Sequence, residues 1–198
     1  MITEEDFQFR ESNLFSSPIG SYVLEPVDTD KLSEWVLQLS KTEAGVQKSN
    51  RGGWHSSLYE MPTTEFENLW SMIDRSVNHF HQQQGLSSCV YISSLWFNIN
   101  YYGSSNVPHT HRGSIWSGVY YIKTPENCGN LGFLIQTWFQ LGIYLNQLWM
   151  KMQRIILHKH FLSNQKKMFC MFFQAGYNIL WMQICHRKRE YLCHSILI

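Results

Sequence analysis

The first 133 residues predict an α+β fold, in which two helices flank an antiparallel sheet or β-barrel. Three observations carry that expectation. Apolar side chains recur at helical spacing in two blocks, over residues 31–42 and 63–82. The period changes to two at Val90. From there short apolar runs alternate with turn-formers, the habit of sequential antiparallel strands.

Taken in order, Leu14 to Glu25 carries Phe15, Ile19, Tyr22 and Leu24 ahead of Pro26 and reads as a strand. Asp28-Thr-Asp30 offers N-caps for a helix over Lys31 to Thr42, with Leu32, Trp35, Val36 and Leu39 on one face. Lys48 to Trp54 is a loop, with Gly52 and Gly53 where the chain must turn. Thr63-Thr-Glu-Phe66 opens a second helix, whose stripe of Phe66, Leu69, Trp70, Ile73, Val77 and Phe80 reads as core. Gln82 to Ser88 ends it.

Val90 to Tyr102 then alternates as a strand. Trp96, Asn98, Asn100 and Tyr102 point one way; Phe97, Ile99 and Tyr101 point the other. Two asparagines on one face of a strand make poor sense against an apolar core, because a buried amide needs partners. They make sense along a polar pocket. The turn Gly103 to Asn106 leads to Val107-Pro-His109-Thr-His111-Arg-Gly-Ser114, and Trp116 to Lys123 is the next strand. In that strand Ser117 and Tyr121 share a face and Trp116, Gly118 and Tyr120 the other; the pattern leaves open which is inward. Thr124 to Gly129 reads as a hairpin loop, with Asn130 to Phe133 as its return strand.

A chain of 198 residues, 44% hydrophobic and 15% aromatic, suits one domain with a sizeable core. A formal net charge of +1 gives no reason to expect nucleic acid as a partner. Met1 to Arg10 is acidic and polar, so no secretory signal peptide is expected. The five cysteines fall at irregular spacings with no CxxC, so neither a disulfide scaffold nor a zinc knuckle is expected, and a reducing cytoplasm is the default location.

These averages hide two unlike segments. Met1 to Gly132 holds 14 acidic and 8 basic residues, whereas Phe133 to Ile198 holds 1 acidic and 8 basic. All five prolines lie at or before Pro125, and no aspartate follows Asp74. A folded surface normally mixes charge signs and turn-formers; the second segment does neither. Three readings compete for it: a basic segment lying on a membrane, an ordinary helical subdomain, or a segment never selected to fold. Gln136, Gln140, Asn146 and Gln147 interrupt the apolar run Phe133 to Met150, which argues against a spanning helix and leaves no membrane partner expected.

His109 and His111 carry the chemistry. Two residues apart on a strand, they would face one side about 7 Å from each other. Convergent neutral imidazoles can share a metal, each through one nitrogen lone pair. Paired histidines in a polar loop also occur simply as solvated or hydrogen-bonded groups.

Trp96-Phe-Asn-Ile-Asn100, Gly103, Pro108-His-Thr-His111, Ser117-Gly-Val-Tyr-Tyr121 and Gly129-Asn-Leu-Gly-Phe133 resemble the 2-oxoglutarate/Fe(II)-dependent oxygenase superfamily. They resemble most a small branch with an HxH signature followed by S-G-V-Y-Y, and Gly52-Gly-Trp54 is similar to that branch's N-terminal part. The resemblance implies a double-stranded β-helix, a cupin-like jelly roll with flanking N-terminal helices. It implies Fe(II) and O2 as cofactors and 2-oxoglutarate as a small-molecule cosubstrate. His109 is then the first metal ligand. His111, standing where most relatives carry a carboxylate, is the second candidate. Asn98, Asn100, Tyr102, Ser117 and Tyr120 are candidates to contact cosubstrate or substrate, the bland alternative for each being ordinary hydrogen bonding.

The superfamily also needs a distal histidine and, about ten residues later, an arginine for the far carboxylate of 2-oxoglutarate. In this branch they lie in patterns such as F-P-S-W-L-x-H and E-R-I-S-x-S-F-N. His158, His160, His186, His194, Arg187 and Arg189 stand in no such context. A one-base change of reading frame near Leu131 to Leu134, with favourable wobble bases, restores Asp- and Pro-rich turns, a histidine straddling Asn178 and Ile179, and an arginine straddling Arg189 and Glu190. The expectation is therefore an oxygenase lineage over residues 1–133 with an out-of-frame tail over 134–198, and no turnover by this chain. A non-catalytic, cupin-like binding module or degenerate fragment is the alternative.

Overall fold

The computed structural model describes residues 18–24, 27–111, 113–125, 131–134, 154–156, 169–174 and 193–197. Strand β1 (Ile19–Val23) leads into helix α1 (Thr29–Thr42). Asp28 caps α1, its carboxylate accepting the Lys31 backbone N–H at 3.0 Å. A cap of this kind stabilises a helix by about 1 kcal/mol. Around the Gly52-Gly53 turn the chain forms two short strands, β2 (Asn50–Arg51) and β3 (Trp54–His55), where the pattern predicted only a loop. Gly52 sits at φ +76°, a left-handed conformation that suits glycine.

Helix α2 (Glu67–Gln83) starts four residues beyond Thr63. Strand β4 is shorter than the alternation predicted, Trp96–Asn100, so Val90 to Leu95 and Tyr101–Tyr102 lie outside it. β5 (Ser105–Asn106) pairs with β2, and β6 (Trp116–Lys123) has the predicted bounds. Beyond it come β7 (Gly132–Leu134), β8 (Arg154–Ile156), β9 (Phe169–Gln174) and β10 (Cys193–Leu197).

Six strands form one antiparallel sheet in the order β1-β9-β6-β10-β4-β3. The predicted return strand after the hairpin does not pair with β6: β7 pairs with β8, while β9 and β10 flank β6. Ser195 is registered opposite both Asn98 of β4 and Tyr121 of β6. His194 is registered opposite Ile99, one position away from that row. His158, His160, His186, Arg187 and Arg189 lie outside the described residues.

Both faces of β4 and β6 are buried, and membership of the apolar core assigns them. Phe97 and Ile99 of β4, and Tyr120 and Ile122 of β6, join the core with Leu32 and Val36 of α1 and Leu69, Ile73 and Phe80 of α2. Full burial of such side chains contributes roughly 1.5–3 kcal/mol each. Aromatic edges interlock there: Phe97 lies 5.2 Å from both Trp35 and Phe66, in T-shaped contacts. Trp116 packs on Phe80 at 4.9 Å. Its indole N–H donates to His81 Nδ1 at 2.9 Å, which leaves His81 Nε2–H to donate to the Ser88 hydroxyl. Because side chains alternate along a strand, the opposite face carries Trp96, Asn98 and Asn100 from β4 and Ser117, Val119 and Tyr121 from β6.

The described residues thus form a mixed α/β fold with two helices on one face of an antiparallel sheet. None of their helices is long and apolar enough to cross a membrane. Cys89 is a free, exposed thiol.

Candidate functional site

The face away from the helices holds the polar residues, and β3 adds one the pattern did not single out. Trp54 is registered with Ile99 and joins the core; His55 is registered with Asn98 and falls on the other face. His55 is buried and stacks on Trp96, with ring centroids 5.5 Å apart and planes within 11°. Its Nδ1 lies 2.6 Å from the Ser56 carbonyl, an acceptor only, so Nδ1 carries the hydrogen. Burial, with lesser contributions from Lys48 and His109, holds its pKa below 6.5.

His111 packs on Trp96 too, at 5.3 Å. His109 and His111 are not on a strand, as their spacing predicted, but in the irregular segment after Val107. There their Nε2 atoms converge to 3.0 Å. Nδ1 of His109 lies 2.8 Å from the Val107 carbonyl and Nδ1 of His111 lies 3.0 Å from the Ser117 hydroxyl. The pKa of His111 is lowered to about 4, first by burial and then by His109.

This geometry suits a shared cation. Two nitrogens in cis positions about 2.1 Å from an octahedral ion are separated by about 3.0 Å, the spacing observed. Each outer nitrogen is held by an oxygen, the usual device for orienting a metal-ligating imidazole. Among the described residues no group of three or more His, Cys, Asp and Glu side chains comes together to hold a metal. The described part of the site therefore offers two candidate ligands, His109 and His111.

The amides need partners. Asn98 is 1% exposed, and neither its Oδ1 nor its Nδ2 is paired; the same holds for Asn106, 2% exposed, in β5. The Trp96 indole N–H is likewise buried and unpaired. Unmatched buried groups of this kind cost about 1–3 kcal/mol each and call for a partner, whether water, ion or ligand. Asn100 lines the same face of β4, packed so closely that a Cβ on Gly53 would lie 2.7 Å from its Oδ1. A cleft of about 370 Å3 is lined by His111, Trp96, Ser117, Ile115, Trp116 and residues 89–94; Asn98, Asn100, Asn106 and His109 are not among its lining residues.

Two candidates fall elsewhere. Tyr102 is half exposed in the turn after β4, because the strand ends at Asn100. Tyr120 is fully buried on the helix-facing side of β6, in the apolar core. The structure brings together His109, His111 and Ser117 directly, with Asn98 and Asn100 on the same face of the sheet. His55 and Asn106 were missed. His55 follows Gly-Gly-Trp, which read as a loop, and only its pairing with β4 places it opposite Asn98; Asn106 read as a turn residue.

Residues 94–186 match the family model described as "Putative 2OG-Fe(II) oxygenase". The match begins just before β4, takes in both histidines and Ser117, and runs past Phe133. In fold the chain is similar to the crystal structure of a prolyl-4-hydroxylase from Pseudomonas putida, at a TM-score of 0.52 and 9% identity, with 92% of each chain covered. No curated protein matches the sequence. The family-model match over residues 94–186 is to the 2-oxoglutarate/Fe(II)-dependent oxygenases that the motifs resemble, and the prolyl-4-hydroxylase likeness is one of fold.

Proposed function

We propose that this chain derives from an Fe(II)- and 2-oxoglutarate-dependent hydroxylase built on a jelly roll, with His109 and His111 as two ligands of the iron. One observation carries the reading: the two Nε2 atoms converge to 3.0 Å inside the matched segment, with both outer nitrogens braced. When bound, Fe(II) and 2-oxoglutarate supply the activation of O2 for attack on a substrate C–H bond. The chain's own groups orient and enclose. His109 is fixed by Val107, the Trp96 ring packs against both His55 and His111, and burial keeps His111 uncharged with a lone pair to offer. Asn98 Nδ2 and the Trp96 indole N–H are donors for a carboxylate such as those of 2-oxoglutarate.

The chain as written falls short of turnover in this reading. The superfamily's distal histidine and its carboxylate-binding arginine match no motif after Phe133, and the loss of prolines and acidic residues there fits a shift of frame. Sequencing the coding DNA across Gly129 to Gln136 decides that point. Succinate formation from 2-oxoglutarate with Fe(II) tests the chemistry. The expected result is none from this chain and iron-dependent turnover from a frame-corrected one, abolished by His109→Ala. Succinate from the chain as written would overturn its proposed inactivity. A correctly folded, frame-corrected protein that binds Fe(II) without turnover would favour the second reading, a non-catalytic cupin-like module, which the two-ligand set among the described residues supports.

A further inference from the structure

His109 has no freedom in where its proton sits. The Val107 carbonyl oxygen only accepts, so Nδ1 carries the hydrogen and Nε2 presents a lone pair. His111 has a choice, because the Ser117 hydroxyl, 3.0 Å from its Nδ1, can donate or accept. Without a cation, the lone pair of His109 faces His111 Nε2 at 3.0 Å, and two lone pairs at that distance repel. Nε2 of His111 must then carry the hydrogen and donate it to His109, while Ser117 donates O–H to Nδ1. With a cation between the rings, Nε2 must be bare, the hydrogen sits on Nδ1, and Ser117 Oγ accepts it. A hydroxyl serves both states by rotating; a carboxylate could only accept.

We propose that Ser117 is a positioning residue that lets His111 exchange tautomers, so that the histidine pair is closed by an N–H···N hydrogen bond when empty and opens two lone pairs when a cation binds. This rests on the cation reading above and assigns Ser117 a role other than cosubstrate contact. The protons balance. His111 is neutral in both states: Nε2 gives a proton to water, Nδ1 takes one from water, and the Ser117 hydroxyl hydrogen turns off the ring. No net proton leaves His111. Ser117 is 2% exposed and lies within β6, so the sheet and not a loop fixes its oxygen. The closed form gives every nitrogen of the two rings a partner at the observed distances.

The test uses the full chain, uniformly 15N-labelled, with Zn2+ as a diamagnetic probe. Long-range 1H–15N spectra of the metal-free protein are expected to show His109 protonated on Nδ1 and His111 on Nε2. Adding Zn2+ should move the His111 hydrogen to Nδ1 and leave His109 as it was. Ser117→Ala is expected to weaken Zn2+ binding about 10- to 100-fold, the range typical of lost outer partners, and Ser117→Thr to restore it. Zn2+ binding with His111 still protonated on Nε2, or an unchanged Zn2+ affinity in Ser117→Ala, overturns this inference alone. Failure of the wild-type chain to bind Zn2+ at all overturns the cation reading, and with it the open state. Should Ser117→Ala not fold, the wild-type tautomer change and the Thr variant still decide.

Discussion

Replacing Asn98 by leucine should make the protein more stable while removing a ligand-binding group. Asn98 is 1% exposed, and both polar atoms of its amide lack a hydrogen-bond partner. Leucine has the same number of side-chain heavy atoms and no polar group to desolvate. Removing one such penalty returns about 1–3 kcal/mol, less whatever the tetrahedral leucine branch costs in fit against its neighbours. For a chain of this size 1 kcal/mol moves the melting temperature by about 2–4 °C, so the expected rise is roughly 2–10 °C. Thermal unfolding followed by circular dichroism, with urea titration at fixed temperature, measures it. A clear fall in melting temperature would refute the reasoning, because it would mean that the amide makes its hydrogen bonds in the empty protein. Ligand-dependent stabilisation gives the second half of the test. If 2-oxoglutarate with Zn2+ raises the melting temperature of the wild type, the same additions should raise that of Asn98→Leu less.

Two further outcomes follow from the same geometry. His55 and His111 are both held below the ordinary value of 6.5, mainly by burial, His111 at about 4, so the unfolded chain binds more protons than the folded one in acid. Stability of the metal-free protein should be flat above pH 6.5, fall as pH drops from there, and level off below about 4 for the His111 part. That part amounts to at most about 3 kcal/mol, and His111→Asn should flatten the corresponding stretch of a urea-unfolding series against pH. Gly45→Ala should destabilise by more than about 2 kcal/mol, read by urea unfolding. The glycine is at φ +73°, and a Cβ there would lie 2.7 Å from the Trp54 ring and 2.8 Å from the His55 carbonyl oxygen, the support on which His55 rests.

Much of the framework was legible in the residues. The helical stripes of Leu32, Val36, Leu69, Ile73 and Phe80 name the core because helix period and burial are the same fact seen twice. Trp116 to Lys123 has the bounds its alternation predicted, and the asparagines of β4 stand on a polar face. His55 was not legible: its partners Trp96 and Asn98 lie some 40 residues away in sequence and meet it only through strand pairing. Tyr102 lies outside the strand for the converse reason, since alternation continues on paper past the point where Asn100 ends the ladder.

The sequence by itself determined which residues alternate, which stripe is apolar and that His109 and His111 belong to one motif, because these depend on local periodicity and residue chemistry. Only the tertiary structure decided which face of β6 holds Ser117 and which buries Tyr120, since a strand's two faces are equivalent until helices cover one. It also decided the separation of the histidines. Their Nε2 atoms meet at 3.0 Å, with a carbonyl from Val107 and a hydroxyl from β6 orienting the rings. Those contacts join residues only two to six positions apart, yet spacing alone does not encode them, because they depend on the course the backbone takes between Val107 and β6.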